Sequence, residues 1–334
     1  MKARSLPTIY DVAREAQVSI ATVSRVLNAP QRVKEATRRR VMAAVEQLGF
    51  VPKAEASARA RRDFKRVGVL TPFFTALSFV QRVRGVATTL AETDYELIVY
   101  TVDSLAKLGA YLDMLPVSRR VDGLIVMSLP FEDASVRRLL DNHLETVCVE
   151  YDHPSFSCVQ IDNIYGGRLA AEHLLSRGYR RIAFIGETGE PAYALHPSDQ
   201  RLEGFRQTLQ QAGVGIPDSY VRRQPFEIKS VIEATRALLE LPQPPEAVFA
   251  TSDIQAVGVL KAARQLGVRI PGDLALIGFD NIDLADYFEL TTVNQSLDDS
   301  GRTAVELLLA RLADPGRPQQ NVRIQLNIVE RGTT

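Results

Sequence analysis

The first fifty residues carry apolar side chains at helical spacing in three stretches, 9–16, 20–28 and 35–48. Gln17-Val18 leaves room only for a tight turn between the first two stretches. Gly49 follows the third stretch directly, and a glycine there favours the left-handed cap that ends a helix. The pattern therefore predicts three short helices, the first two joined by a tight turn.

Polar residues at the starts of the first two helices support these boundaries. Thr8 and Asp11 have the spacing of a capping box, in which each side chain bonds the backbone N–H of the other residue. Ser19 can cap the second helix with its hydroxyl. Two short helices joined in this way form a helix-turn-helix, whose second helix can enter the major groove of DNA.

From residue 66 onward, short apolar runs alternate with amphipathic stretches. The predicted strands are 67–70, 96–100, 124–127, 147–149, 182–185, 247–250 and 274–278. The predicted helices between them are 79–90, 135–140, 165–175, 200–212 and 254–266. This alternation predicts an α/β body with parallel sheets covered by helices.

The change of pattern suggests a domain organisation. We expect an all-α helix-turn-helix domain at 1–52, a linker helix at 53–65 and an α/β body at 66–334. The body exceeds a comfortable single core, so it should divide into two lobes. The predicted lobes are about 66–161 plus 281–294 and about 162–280 plus 295–334.

Charge is distributed unevenly along the 334 residues, although the formal net charge is zero. Residues 1–66 contain 15 Lys and Arg against 6 Asp and Glu, so the basic surplus lies in the head. A basic head on an acidic body suggests that only the head meets a polyanion. Together with the helix-turn-helix pattern, the charge points to double-stranded DNA.

Other features argue against several classes of protein. No apolar run approaches the ~18 residues of a membrane span, and the N-terminus has no apolar core for a signal peptide. Cys148 and Cys158 have neither disulfide-framework nor zinc-site spacing, which favours a reducing cytoplasm. Because GxxxxGK[ST], GxGxxG, GxSxG and HExxH motifs are missing, we predict no enzyme, no cofactor and no metal site.

The second helix carries the residues that can read DNA. Arg25 suits guanine O6 and N7, and the small or apolar side chains of Ile20 and Ala21 can touch a thymine methyl. Thr22 and Ser24 can hold phosphates, which fixes register without reading sequence.

The run IYDVAREAQVSIATVSRVLN, followed by TRRRVMAAVEQLGFVP, resembles the DNA-binding head of the LacI-type (lactose/galactose repressor) transcription factors. The resemblance covers the whole head and extends over nearly the full length. It implies a hinge helix that forms on DNA and a two-lobed body similar to periplasmic sugar-binding proteins. The DNA-binding residues expected from the pattern and the resemblance are Thr8, Ser19, Ile20, Ala21, Thr22, Ser24, Arg25, Asn28 and Arg59.

Two positions depart from the family pattern. Lys34 stands where the family often has a serine or threonine cap, so a bond worth about 1 kcal/mol should be missing or supplied elsewhere. Arg59 falls where the family usually wedges a leucine into a minor-groove step. Arginine cannot unstack bases as leucine does, but it can lie in a narrow, electronegative minor groove. The alternative is an exposed linker helix.

Three residues of the body are the main candidates for ligand binding. Asp280 follows a predicted strand, Arg201 begins a helix, and Phe226 lies in the loop QPFEIKS. An acid, an arginine and an aromatic ring suit a polyhydroxylated ligand at the carboxyl ends of parallel strands, and each residue matches an effector-binding position of the family. Weaker candidates are Phe79, Asp152, Ser252, Asp253 and Gln295.

Each main candidate also has a structural alternative. Asp280 could cap a turn, Arg201 could form a structural ion pair, and Phe226 could serve only in packing. We nevertheless predict a cytoplasmic, homodimeric, DNA-binding transcriptional regulator, expected to be a repressor, that binds a pseudo-palindromic operator. A small ligand, with a sugar favoured, should control operator affinity allosterically. The alternatives are a cytoplasmic sugar-binding protein and a carbohydrate-active α/β enzyme with an appended DNA-binding head.

Overall fold

The computed structural model describes most of the chain. The described residues are 7–28, 30–50, 65–189, 191, 193–225 and 227–334. The predicted hinge helix with Arg59, and the candidate ligand residue Phe226, lie outside the described residues. So does the side chain of Asn28. The roles given to these three residues stay predictions from sequence.

The described part of the head is helical, as the apolar spacing predicts. Its helices are α1 (Ile9–Glu15), α2 (Ile20–Asn28) and α3 (Glu35–Leu48), with a 3₁₀ turn at Pro30–Arg32. Gly49 ends α3 in the left-handed region, with φ at +61°. Lys34 precedes α3 without a side-chain cap bond, as expected from its departure from the family pattern. The three predicted helices are therefore confirmed.

The body alternates strands with helices, which confirms the α/β prediction. Up to residue 161 its elements are β1 (Lys65–Thr71), α4 (Leu77–Leu90), β2 (Tyr95–Thr101), α5 (Leu105–Ser118), β3 (Gly123–Met127), α6 (Asp133–Asp141), β4 (Glu145–Val149) and β5 (Ser157–Ile161). Those that follow are α7 (Asn163–Ser176), β6 (Ile182–Glu187), α8 (Ser198–Gln211), β7 (Val221–Gln224), α9 (Ile228–Leu239), β8 (Ala247–Ala250), α10 (Asp253–Leu266), β9 (Ala275–Asp280), α11 (Asp283–Tyr287), β10 (Thr292–Asn294), α12 (Leu297–Ala313), β11 (Asn321–Ile324) and β12 (Asn327–Val329).

These strands form two sheets among the described residues. The first has the order β11-β5-β4-β3-β1-β2, and the second has the order β12-β10-β9-β8-β6-β7. β1 pairs in parallel with β2 and β3, and β9 pairs in parallel with β8 and β10. β12 runs antiparallel to β10 at one edge. The parallel ladders bring the carboxyl ends of successive strands to the same edge of each sheet.

The described chain divides into two compact units. The first comprises the residues up to Phe74, Val86–Cys158 and Arg302–Gln320. The second comprises Thr75–Gly85, Val159–Gly301 and Asn321–Thr334. Each unit has its own buried apolar core. In the second, Phe184, Phe205 and Phe249 meet with ring centroids 5.1–6.1 Å apart.

Two segments of the chain belong to a different unit from the lobe in which they were predicted. Residues 281–294 are predicted in the first lobe, but they belong to the second unit because β10 extends the sheet beside β9 and Leu290 is fully buried in that core. Residues 302–320, predicted in the second lobe, belong to the first unit. There the buried Leu308 packs closely against Gly123 of β3.

Arg38 is buried, although it lies in a run of three arginines in α3. Of Arg38, Arg39 and Arg40, only Arg39 and Arg40 are exposed. Arg38 retains 7% of its accessible surface, and its Nε donates to Asp113 of α5 at 3.1 Å. Its position three residues before the fully buried Val41 puts it on the inner face of α3.

No helix within the described ranges combines the length and apolar character needed to cross a membrane.

Candidate DNA interface and effector site

Helix α2 has one buried face and one exposed face. Val23 and Val26 are fully buried, whereas Ile20, Ala21 and Arg25 are exposed. Ile20 keeps 40% of its surface accessible. The three predicted base readers are therefore accessible on one helix, and their base contacts stay predictions.

Hydrogen bonds at the helix starts involve three of the predicted DNA-binding residues, Thr8, Ser19 and Thr22. Ser19 Oγ accepts the backbone N–H of Thr22 at 3.1 Å, and the two hydroxyls lie 2.8 Å apart. The predicted capping box is present at α1, where the backbone N–H and the hydroxyl of Thr8 donate to the Asp11 carboxylate at 2.9 and 2.7 Å. The Thr8 hydroxyl bond is the main reason that the pKa of Asp11 lies below its usual value. These bonds fix the first turn of α1 and the first turn of α2.

Asp280 ends β9 in an unusual backbone conformation. Its φ is +121°, and Asn281 follows at +56°. Residues other than glycine rarely adopt such angles, and conformations of this kind concentrate at functional sites. Asp280 is buried, and its Oδ1 accepts a hydrogen bond from Gln295 Nε2 at 2.5 Å. The strand end, the strained turn and Gln295 together fix the carboxylate.

The other side of the Gln295 amide faces a buried arginine. Gln295 Oε1 accepts from Arg82 Nη2 at 3.4 Å, and Arg82 retains only 1% of its surface. The Arg82 guanidinium lies 5.8 Å from the centroid of the Phe79 ring. Gln295, a weaker candidate, therefore contacts Asp280 directly, and Phe79, another weaker candidate, is connected to it through Arg82 and Gln295. Arg82 could not be predicted from sequence, because an arginine in an amphipathic helix normally faces solvent.

Arg201 is buried in the first turn of α8 beside the same sheet edge. Its Nε donates to Asn163 Oδ1 at 2.9 Å, and its Nη1 donates to the carbonyl oxygen of Thr251 at 2.6 Å. The guanidinium lies 3.6 Å from the centroid of the Phe279 ring, one residue before Asp280. Asn163 and the carbonyl oxygen of Thr251 together orient the Arg201 guanidinium.

Ser252 and Asp253 stand at the start of α10. Ser252 Oγ accepts the backbone N–H of Gln255 at 3.2 Å as the N-cap. Asp253 is fully buried and accepts from the backbone N–H of Ile282 at 2.9 Å and from Thr292 Oγ1 at 2.6 Å. Burial, with a smaller contribution from Asp280, raises the pKa of Asp253 well above its ordinary value. The Asp253 carboxylate therefore anchors the turn that follows Asp280.

The structure places Asp152, a weaker candidate for ligand binding, in the first unit. Asp152 is exposed and belongs to the first unit, whereas Arg201, Ser252, Asp253, Asp280, Gln295 and Phe79 belong to the second. Within the first unit, Glu150 directly follows β4, has φ at +62° and accepts a hydrogen bond from the Ser128 hydroxyl. Ser128 follows β3 with φ at +50°. These two residues, both missed, could have been found because each comes directly after a predicted strand.

The described residues contain no cluster of three or more His, Cys, Asp or Glu side chains that could hold a metal ion. The polar groups at the edge of the second sheet, with their acid, guanidinium and carboxamide, can instead donate to and accept from a small polar ligand.

Comparisons with known proteins agree on one family. Residues 8–53 match the family model of bacterial regulatory proteins of the lacI family, and residues 171–334 match that of a periplasmic binding protein-like domain. The HTH-type transcriptional repressor PurR of Escherichia coli is 34% identical over 333 residues, which cover 98% of this chain and 96% of that protein.

Solved structures agree in fold over the body and the head. A complex of the transcriptional regulator CelR with cellobiose has a TM-score of 0.70 at 28% identity, covering 98% of this chain and 100% of that one. A LacI family transcriptional regulator from Enterococcus faecium with bound ribose has a TM-score of 0.71 at 27% identity, covering 81% of this chain and 98% of that one. The helix-turn-helix head, the two mostly parallel sheets and the identity to a repressor over nearly the full length show that this chain belongs to the LacI family of DNA-binding transcriptional regulators.

Proposed function

We propose that the chain is a homodimeric transcriptional repressor whose binding to a pseudo-palindromic operator is controlled by a small polyhydroxylated ligand, with a sugar favoured. The observation that carries the ligand part is the group formed by Arg201, Asp280 and Gln295 in the second unit. These side chains are buried, lie at the carboxyl ends of parallel strands and are held by hydrogen bonds. Polar groups fixed in this way can recognise a ligand without first being ordered.

The chemistry of this group suits a carbohydrate. A carboxylate accepts hydrogen bonds from sugar hydroxyls, and a guanidinium donates to hydroxyl or ring oxygens. The ring of Phe79, beside Arg82, offers an apolar surface for the C–H face of a sugar. Structural relatives solved with cellobiose and with ribose support this ligand class.

The DNA part of the proposal rests on α2. Arg25, Ile20 and Ala21 are exposed on the helix that a helix-turn-helix places in the major groove. Each head would read one half of the operator, because a two-fold symmetric dimer matches a two-fold symmetric site.

Exposed aromatic residues support a dimer contact on the second unit. Tyr287 keeps 83% of its surface accessible and Phe288 keeps 44%, side by side at the end of α11. Neighbouring exposed aromatic side chains of this size mark protein contacts. We place them in the contact between two copies of the chain.

Ligand and operator should influence each other reciprocally, with a coupling free energy typically of about 1–3 kcal/mol. We propose negative coupling, in which the ligand weakens operator binding.

Two measurements on the full-length protein test this function. The protein is first used to select duplexes from a random pool, and its affinity for the enriched duplex is compared with random competitor. A thermal-shift screen with sugars and nucleosides then identifies ligands, since binding stabilises the folded state by RT ln(1 + [L]/Kd). Each ligand found is added to the operator titration, where weaker binding is expected.

The alternatives give different results. A sugar-binding protein without a regulatory role would bind a sugar but enrich no duplex. A carbohydrate-active enzyme would convert the bound sugar, which chromatography of the incubated ligand would detect. Failure to enrich any duplex would contradict the proposed function.

A further inference from the structure

The core of the head includes a residue from the body. Val117 of α5 retains 7% of its surface and packs in the same apolar cluster as Val26, Val41 and Val45 of the head. In addition, Arg120, just after α5, donates from Nη2 to the carbonyl oxygen of Leu27 at 2.9 Å. Within the first unit, the head therefore has a defined apolar and polar contact with α5.

Four charged side chains of alternating sign surround this contact. Arg38 of α3 pairs with Asp113 of α5 at 3.1 Å, and only 9% and 20% of the two side chains remain exposed. Arg138 of α6 pairs with Glu46 of α3 at 2.9 Å and lies 3.8 Å from Asp113. Asp113 is thus shared by one arginine of the head and one of the body. Removing one partner of a buried pair is costly because the other charge is left uncompensated.

The face of the head that contacts α5 differs from the face that carries the predicted base readers. The contact uses the inner face of α3 and the carbonyl end of α2, whereas Ile20, Ala21 and Arg25 stay exposed. Docking and base reading can therefore occur at the same time. A head that is already held in place loses less orientational freedom when it meets DNA, and preorganisation of this kind increases affinity.

We propose that Asp113 and Arg138 are positioning residues for DNA recognition: with Arg38 and Glu46 they dock the head on α5 and α6, and the docked head is the operator-binding form. The inference rests on the proposed function, and it adds a route by which the body can orient the reading helix through direct contact.

The test compares Asp113→Asn with a matched control, Glu172→Gln. Glu172 forms an exposed ion pair with Arg168 within α7. It belongs to the second unit and takes no part in the contact between the head and α5. We expect Asp113→Asn to bind the duplex enriched by the wild-type protein about tenfold more weakly, with the same base preferences, because Arg38 loses its buried partner. Hydrogen exchange in 105–118 should become faster. Glu172→Gln should leave both quantities unchanged.

Further variants separate docking from loss of fold. Arg138→Met removes the charge that pairs with Glu46, so it should undock the head. Because methionine keeps an apolar stem, the midpoint of thermal unfolding of the body should stay close to that of the wild type. Asp113→Glu keeps the charge and should restore most of the operator affinity.

Wild-type affinity in Asp113→Asn and Arg138→Met would overturn the docking proposal while leaving the proposed function intact. Tighter binding by these variants would also overturn it, because the docked head would then compete with DNA. If the wild-type protein enriches no duplex at all, the proposed function itself fails.

Discussion

The amide nitrogen of Gln295 lies 2.5 Å from a carboxylate oxygen of Asp280, at the point where β9 leaves its sheet in a strained turn. This bond and the contact of Gln295 with Arg82 orient the carboxylate before any ligand arrives. Asp280→Asn keeps the shape of the side chain but removes the charge that accepts hydroxyl donors. We expect the thermal shift by the ligand found in the screen to be lost, with operator affinity unchanged. Asp94→Asn, on the exposed surface of the first unit, is the control.

A ligand shift of normal size in Asp280→Asn would remove Asp280 from the binding site and favour its alternative role as a turn residue.

Arg25 is expected to read a base. Arg25→Ala should cost roughly 1–3 kcal/mol of operator binding and relax the preference at one position of each half-site. The measurement is affinity against a panel of single-base operator variants. Arg168→Ala, on the exposed surface of the second unit, should leave the whole panel unchanged. A uniform loss across all operator variants would show that Arg25 contacts phosphate instead.

The substitution Arg59→Leu tests whether residue 59 enters the minor groove, where the family usually has a leucine. Arg59→Leu introduces the side chain that can wedge between base pairs, so we expect tighter binding and a more strongly bent operator. Circular-permutation gel shifts report the bend and titration reports the affinity. If neither quantity changes, residue 59 lies in an exposed linker and does not enter the minor groove.

Tyr287 is predicted to lie in the dimer contact. Tyr287→Asp places a charge in a contact that should exclude water, which costs far more than it does on a solvated surface. Sedimentation at micromolar protein should then show monomer, and operator affinity should fall because two heads no longer bind together. Tyr287→Phe keeps the ring and should remain dimeric. A dimeric Tyr287→Asp protein would place the contact elsewhere.

His173 should make the folded state less stable in mild acid. It is half-buried on α7, with Nε2 2.8 Å from Thr334 Oγ1, and burial lowers its pKa from the ordinary 6.5. The folded state then binds the proton more weakly than the unfolded state does. The contribution of neutral His173 to the free energy of unfolding should be fully present above pH 6.5. It should decrease as the pH falls from 6.5 through the lowered pKa of the folded state.

The measurement is urea unfolding of wild type and His173→Gln between about pH 7.5 and about pH 5. The wild type should lose more of its free energy of unfolding than the variant across this range. His143→Asn, at an exposed position, should follow the wild type. Parallel curves for wild type and His173→Gln would contradict this assignment.

Local features of the fold could be predicted from sequence, whereas contacts between distant segments could not. The bounds of α3 and its end at Gly49 follow from apolar spacing and from the conformational freedom of glycine, which are properties of neighbouring residues. The spacing of α3 places Arg38 on the same face as the buried Val41, but its charge partner Asp113 lies 75 residues away and cannot be inferred from that spacing. The return of residues 302–320 to the first unit likewise depends on packing across the sheet.

The candidate ligand site likewise combines residues that could be predicted from sequence with residues that could not. Asp280 could be found because it directly follows an apolar strand, and Arg201 because it begins a helix after a loop. Arg82 could not, since its burial arises only when α4 meets the residues after β10. The geometry at Ser128 and Glu150 also depends on backbone angles that no residue preference indicates, because neither residue is a glycine.

Within the described part of the chain, the backbone changes unit after Phe74, Gly85, Cys158, Gly301 and Gln320. Under the proposed function, joining the N-terminal half of one related protein to the C-terminal half of another should therefore not exchange their ligand specificities. A chimaera would have to transplant Thr75–Gly85, Val159–Gly301 and Asn321–Thr334 together, because the first of these segments carries Phe79 and Arg82 and the second carries Gln295. A hybrid with one crossover between Arg82 and Gln295 would separate these two contacting residues, and natural recombination should meet the same restriction.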